Sequence, residues 1–217
     1  EPMNEAIRVA MVSLGCARNL VDSEVLLGHA VEEGMQVVRE PEDADVVVVN
    51  TCGFVDTAKQ ESIDTILSVA RLKEEGNLKG VIAVGCLAQR YGEDLKQSIP
   101  ELDAVFGISD YSGVPAVVRK IVNGTTRRFV ATVDGGKPKS ARTDQKRMLL
   151  TPKSFAYLRI SEGCDHKCTF CAIPSMRGRN RSKPMDVLVE EACNLAAADR
   201  KSTRLNSSHS SVSRMPS

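Results

Sequence analysis

The run Val46-Val47-Val48-Val49-Asn50-Thr51-Cys52 narrows the folds open to this chain more than any other stretch. Successive side chains of a strand point to opposite sides, so four valines in a row suit a strand buried on both faces. Strands of that kind belong to parallel sheets covered by helices. Apolar runs at Ile7–Leu14, Val81–Gly85 and Ala104–Ile108 read as further strands. Between them, Asn19–Gly34 carries Leu20, Leu27 and Val31 at helical spacing, and Asp56–Gly76 carries Ile63, Ile66, Leu67 and Ala70. Both patterns stop at a glycine, and Gly113–Asn123, with Pro115 near its start, is a third helix. The alternation predicts an α/β fold with a parallel, Rossmann- or flavodoxin-like sheet. Composition agrees: 42% of the 217 residues are hydrophobic, but only 4% are aromatic and none is Trp, so Val, Ile, Leu and Ala must fill the core.

Three cysteines fall in a pattern. Cys16 follows the first strand in Ser13-Leu-Gly-Cys, Cys52 the second in Asn50-Thr-Cys-Gly, and Cys86 the third in Val84-Gly-Cys-Leu. Ligands of an open parallel sheet bind just beyond the carboxyl ends of its strands. Three thiols distant in sequence are therefore expected to converge on one sheet edge, with Gly15, Gly53 and Gly85 beside them allowing close backbone approach. Free cysteine is often simply a small buried hydrophobe, but equivalent topological positions for all three favour a metal site.

A second triplet lies in Gly163-Cys164-Asp165-His166-Lys167-Cys168-Thr169-Phe170-Cys171. Three thiolates at C-x3-C-x2-C can hold three irons of a cubane cluster, whose usual complement is four cysteines. The open position is the mark of a reactive rather than a structural site. Zinc with His166 as fourth ligand is the alternative, although zinc sites usually come as two separated pairs. Seven cysteines, an odd number, and an N-terminus without basic and apolar signal regions argue against disulfides and point to a reducing cytoplasm. No apolar run approaches a membrane span. A net charge of +1 leaves no whole-chain nucleic-acid footprint.

C-x3-C-x-aromatic-C resembles the signature of radical S-adenosylmethionine (SAM) enzymes. Tyr157–Cys164 and Ala172-Ile-Pro-Ser-Met-Arg-Gly178 resemble the methylthiotransferase branch of that family. Ser13–Glu24, Asn50–Asp56 and Ile173–Gly178 are most similar to the branch that modifies an aspartate in protein twelve of the small ribosomal subunit, with the tRNA adenosine branch as the alternative. The resemblance implies two 4Fe–4S clusters, an auxiliary one on Cys16, Cys52 and Cys86 and a second on Cys164, Cys168 and Cys171, whose open iron chelates SAM with Phe170 near the adenine. It implies hydrogen abstraction from the aspartate β-carbon by a SAM-derived radical, then transfer of a methylthio group. An electron donor such as flavodoxin or ferredoxin is the implied partner besides the ribosomal protein or tRNA.

The expected organisation is an N-terminal methylthiotransferase domain over 5–123, a linker over 124–152, the start of a radical-SAM partial TIM barrel over 153–199, and a tail over 200–217. That tail is rich in Ser and Arg and reads as disordered and non-native, joined after Asp199. A complete β/α barrel takes about 250 residues, so the chain is expected to be inactive alone, as an iron–sulfur-binding fragment. Arg177, Arg179, Arg181 and Lys183 read as a solvated basic loop, with an anionic-substrate or SAM-carboxylate contact at Arg177 as the alternative. Cys193, in the helix pattern Pro184–Ala198 with Val189 and Ala197, reads as core, and His29 as structural. No Walker A loop, G-x-G-x-x-G fingerprint or G-x-S-x-G elbow is present.

Overall fold

The computed structural model describes residues 6–76, 78–108, 111–125, 129–131, 147–198 and 203–206. The chain runs β1 (Arg8–Ser13), α1 (Ala17–Glu32), β2 (Gln36–Val38), β3 (Val46–Thr51), α2 (Asp56–Glu75), β4 (Gly80–Gly85), α3 (Cys86–Ser98), β5 (Ala104–Phe106), α4 (Val114–Val122) and β6 (Phe129–Ala131). There follow β7 (Ala156–Arg159), β8 (Ser161–Glu162), α5 (Ile173–Arg177), β9 (Arg181–Ser182), α6 (Met185–Ala197) and β10 (Thr203–Asn206).

Six strands form one sheet in the order β2-β1-β3-β4-β5-β6, every pair parallel. The valine run feeds both of its faces. Val46 and Val48 join Leu26 and Ala30 of α1 and Val117, Val118 and Ile121 of α4. Val47 and Val49 join Ile66 and Val69 of α2 and Leu87 and Leu95 of α3. All four valines are fully buried, each worth about 1.5 kcal/mol or more in burial. From β1 the chain steps to β2 on one side and then crosses to β3 on the other. The strand order thus reverses between β1 and β3, which opens a crevice at their carboxyl ends.

The remaining strands make smaller pairings. β7 and β10 are parallel, joined through α6. Ala156, Leu158 and Leu195 pack with Leu149, Ile160, Leu188 and Ala192 beneath them. This is one βαβ unit, the repeat of β/α barrels. β8 and β9 form a two-residue antiparallel clasp.

Several expectations need correction. The sheet takes a sixth strand, β6, from within the stretch read as a linker, because β5 otherwise presents an unpaired edge to the apolar Phe129-Val130-Ala131. Residues 126–128 and 132–146 of that stretch lie outside the described residues, as do 200–202 and 207–217 of the tail. Thr203–Asn206, read as disordered, is a strand that pairs with the open edge of β7. Cys193 is exposed rather than core. Val187, Leu188, Glu191 and Leu195 face the protein interior, so the stripe of Met185, Val189 and Cys193 one helical turn apart faces solvent. Helix α3 is unheralded in the sequence because its backbone leaves helical geometry at Tyr91 (φ −129°, ψ 30°), beside Gly92.

At the amino ends of the strands, carboxylates tie the sheet together. Asp45 Oδ2 accepts from the Arg8 amide at 2.8 Å and lies 3.5 Å from Arg8 Nε, while Asp45 Oδ1 lies 3.2 Å from Lys79 Nζ. Burial raises the Asp45 pKa, but the Arg8 amide together with Lys79 and the Arg8 side chain outweighs it and holds the carboxyl below its usual range. A folded-state pKa below the unfolded value of about 3.9 stabilises the fold above about pH 4 and loses that contribution as pH falls through the folded value. Asp45→Asn is therefore expected to lower urea-unfolding stability by about 1–2 kcal/mol at pH 7. The deficit should shrink at pH 3; an equal deficit at both pH values would show that charge plays no part.

Candidate metal centre

Cys16, Cys52 and Cys86 sit just past the carboxyl ends of β1, β3 and β4, three adjacent strands. The register puts Ser13 beside Asn50 and Thr51 beside Gly85, so the turns that follow leave the sheet at one level. Cys16 is the exposed N-cap of α1, and Cys86 is the buried first residue of α3. Cys52 is buried, its amide donating to Ser62 Oγ at 2.9 Å and its carbonyl accepting from the same hydroxyl at 3.1 Å.

Glycine is required at two of these turns. Gly15 has φ +86°, and a Cβ there would lie 2.8 Å from Cys52 Cβ and 3.0 Å from its Sγ, so the first turn lies directly on the second cysteine. Gly85 has φ +97°, and a Cβ there would overlap the Asn50 side chain and the Thr51 carbonyl. Asn19 ties the turns together: its Nδ2 donates to the carbonyls of Leu14 at 3.0 Å and Thr51 at 2.9 Å.

The second triplet lies in the loop that joins β8 to α5. Cys164 is buried, Cys171 half-buried, Cys168 exposed, and Phe170 is 73% exposed. The Cys164 amide donates to the Gly178 carbonyl at 3.0 Å, the Cys171 amide to the Cys168 carbonyl at 3.2 Å, and Asp165 Oδ1 accepts from the Asn180 amide at 3.1 Å.

Between the triplets lies a buried ion network. Arg177 Nη2 donates to Asp22 Oδ2 and to Asn19 Oδ1, both at 2.9 Å, and reaches Cys86 Sγ at 3.5 Å. Arg177 Nη1 donates to Glu162 Oε1 at 3.1 Å. Arg159 bridges the same two acids, to Asp22 Oδ1 and to Glu162 Oε2 at 3.1 Å. One stretch of two residues, Arg177-Gly178, therefore touches a cysteine of each triplet.

Among the described residues, no three His, Cys, Asp or Glu side chains are already gathered as a metal site. The chemistry of the donors nevertheless fits a thiophilic group: each triplet offers three free thiols, with a buried guanidinium against Cys86 to balance anionic sulfur.

Comparisons with known proteins bear on the whole arrangement. Residues 8–107 match the model of a family described as "uncharacterized protein family UPF0004". The chain is 46% identical over 192 residues to the ribosomal protein uS12 methylthiotransferase RimO of Symbiobacterium thermophilum, covering 88% of this chain and 38% of that protein. It is 45% identical over 190 residues to the protein of that name from Sulfurihydrogenibium sp., covering 88% and 40%, and 44% identical over 189 residues to that of Clostridium perfringens, covering 87% and 42%. The chain is thus similar, over 87–88% of its residues, to proteins that carry that name. It spans about two fifths of the length of these relatives.

The reading of the basic stretch after the loop needs correction. Arg179 and Arg181 are exposed, as a solvated loop requires. Arg177 is only 3% exposed and spends its donors inside the protein, and Lys183 is buried against Glu191 Oε2 at 2.5 Å. The partners Asn19, Asp22, Arg159 and Glu162 escape the sequence reading because they lie up to 158 residues apart. The polar Asn19, Asp22 and Ser23, spaced i, i+3 and i+4 along α1, were the available signal. His29 is half-buried, 3.7 Å from Glu32, in keeping with a structural role. Among the described residues, no helix is long and apolar enough to cross a membrane.

Burial pushes the Cys86 thiol up to about 11; Arg177 opposes the rise and Asp22 adds to it. Glu162 is also raised by burial, but Arg177 and Arg159 outweigh that and hold it below its usual range. In the metal-free chain at pH 8, Cys86 is therefore expected to react with iodoacetamide on the order of 100-fold more slowly than exposed Cys168. Its rate should continue to rise up to about pH 11, read by mass spectrometry of the modified peptides. Equal rates at pH 8 would contradict this protonation state.

Proposed function

We propose that the chain is the cluster-holding part of a radical-SAM methylthiotransferase that adds a methylthio group to the β-carbon of an aspartate in a small-subunit ribosomal protein. The observation that carries the reading is the contact of one segment with both thiol triplets: Arg177 with Cys86 Sγ, and Gly178 with the Cys164 amide. A reaction that hands sulfur from one site to a carbon activated at another needs the two sites to be neighbours. The names of the relatives supply the substrate class.

In this reading Cys16, Cys52 and Cys86 hold one 4Fe–4S cluster and Cys164, Cys168 and Cys171 the other, with Phe170 beside the adenine of SAM. Bound clusters and SAM would supply the sulfur and the one-electron chemistry that opens an unactivated C–H bond. The chain's own residues hold and separate the sites. The turns fixed by Asn19 and Ser62 orient the strand-end thiols, and the β8–β9 clasp and α5 bracket the loop thiols. Residues 5–123 form the first domain and 153–199 the start of the second. An electron donor such as flavodoxin or ferredoxin and a reducing cytoplasm complete the proposal.

Iron, acid-labile sulfide and zinc per chain after anaerobic reconstitution test the site assignment. About eight irons are expected, falling to about four when Cys16, Cys52 and Cys86 are all replaced by Ala, and likewise when Cys164, Cys168 and Cys171 are. About four irons in both the parent and the first variant would remove the strand-end thiols from the proposal, and zinc in place of iron would overturn it. Competition between the ribosomal protein and tRNA, using the full-length enzyme, separates the two substrate branches.

A further inference from the structure

The Arg177 guanidinium is fixed from two sides. Asp22 Oδ2 and Asn19 Oδ1 accept from Nη2 at 2.9 Å, and Glu162 Oε1 accepts from Nη1 at 3.1 Å. The remaining near neighbour of Nη2 is Cys86 Sγ at 3.5 Å, and that sulfur also lies 3.4 Å from Asn19 Oδ1. Arginine stays charged at any working pH, and its planar fork cannot turn without giving up a carboxylate. The acids that hold it are shared with Arg159 of β7, so two cations face two anions.

We propose that Arg177 is a positioning residue for the strand-end metal site: its buried N–H donor fixes the Cys86 sulfur and sets the electron affinity of the group that Cys86 ligates, while Asp22 and Glu162 hold the guanidinium in place. The inference rests on the reading of Cys16, Cys52 and Cys86 as ligands. A donor to a ligating sulfur favours the more reduced, more negative state and so raises the reduction potential. Lysine at 177 keeps the charge but offers no fork that reaches both carboxylates and the sulfur together.

The test is an EPR-monitored redox titration of the full chain carrying Cys164→Ala, Cys168→Ala and Cys171→Ala, so that only the strand-end site contributes. Arg177→Lys is expected to move the potential to more negative values. Arg159→Lys, which perturbs the same carboxylates and leaves the Arg177 donor to Cys86 in place, is expected to leave it unmoved while lowering Tm comparably. If Arg177→Lys does not fold, ENDOR of the reduced parent site with arginine labelled at its guanidino nitrogens with 15N carries the test: a 15N coupling to the site is expected, and its absence overturns the inference. An unmoved potential in the Arg177 variant, or the same shift in both arginine variants, overturns the inference alone. Absence of iron from the starting chain overturns the ligand reading and the inference with it.

Discussion

The guanidinium of Arg177, buried among Asp22, Glu162 and Asn19, is the contact on which the arrangement of this molecule depends. Taking those charges out of water is expensive, and an apolar cluster of the same volume often does as well for stability. What the ions add is a defined geometry. Asp22 belongs to α1, Arg159 to β7, Glu162 to β8 and Arg177 to α5, so a network of two cations and two anions joins the first helix of the chain to three elements of its second part. Removing any one member leaves an uncompensated buried charge, at a cost of about 3–5 kcal/mol.

A second buried network repeats the principle on the same helix. Arg147 lies 3.6 Å from Glu24 and 3.4 Å from Glu191, which also binds Lys183, and Glu24 Oε1 accepts from the Leu150 amide at 2.9 Å. Two cations again meet two anions. Helix α1 thus packs Leu26 and Ala30 against the sheet and presents Asp22 and Glu24 to the segment after residue 146. Its burial from Val21 to Gly28 follows from covering on both sides. A helix exposed on one face could not carry two fully buried carboxylates.

The legible parts of this structure were those with local signatures. Apolar runs marked β1, β3, β4 and β5, and glycines marked the ends of α1 and α2. The strand-end positions of Cys16, Cys52 and Cys86 followed from that strand pattern. Elements of three residues, such as β2, carry too few positions to show a period, and β6 exists because the edge of β5 lacks a partner rather than because its own sequence demands a strand. Cys193 shows how a real period can mislead. Val189, Cys193 and Ala197 do line one face of α6, but the buried side of the helix is chosen by what β7 offers, and it offers Leu158 to Leu195. The ion network was illegible for a related reason: local sequence gives no means of pairing Arg177 with Asp22.

The two thiol triplets differ in how far the protein has ordered them in advance. Those at the strand ends are set by backbone. Cys52 is held at both its amide and its carbonyl, Cys86 opens a helix, and the turn at Gly15 lies against the Cys52 side chain. Cys168 and Phe170, by contrast, stand exposed in a loop whose start is tied to the segment after α5, by the Gly178 carbonyl on the Cys164 amide and by the Asn180 amide on Asp165. Fixing the backbone of a mobile residue costs about 1–2 kcal/mol, so a ligand that orders such a loop must spend part of its binding energy there. A group on the strand-end thiols meets a site largely prepared by the sheet. One on the loop thiols must organise its own surroundings, so its affinity depends more on the clasp and on the Arg177 network that hold the loop's two ends together.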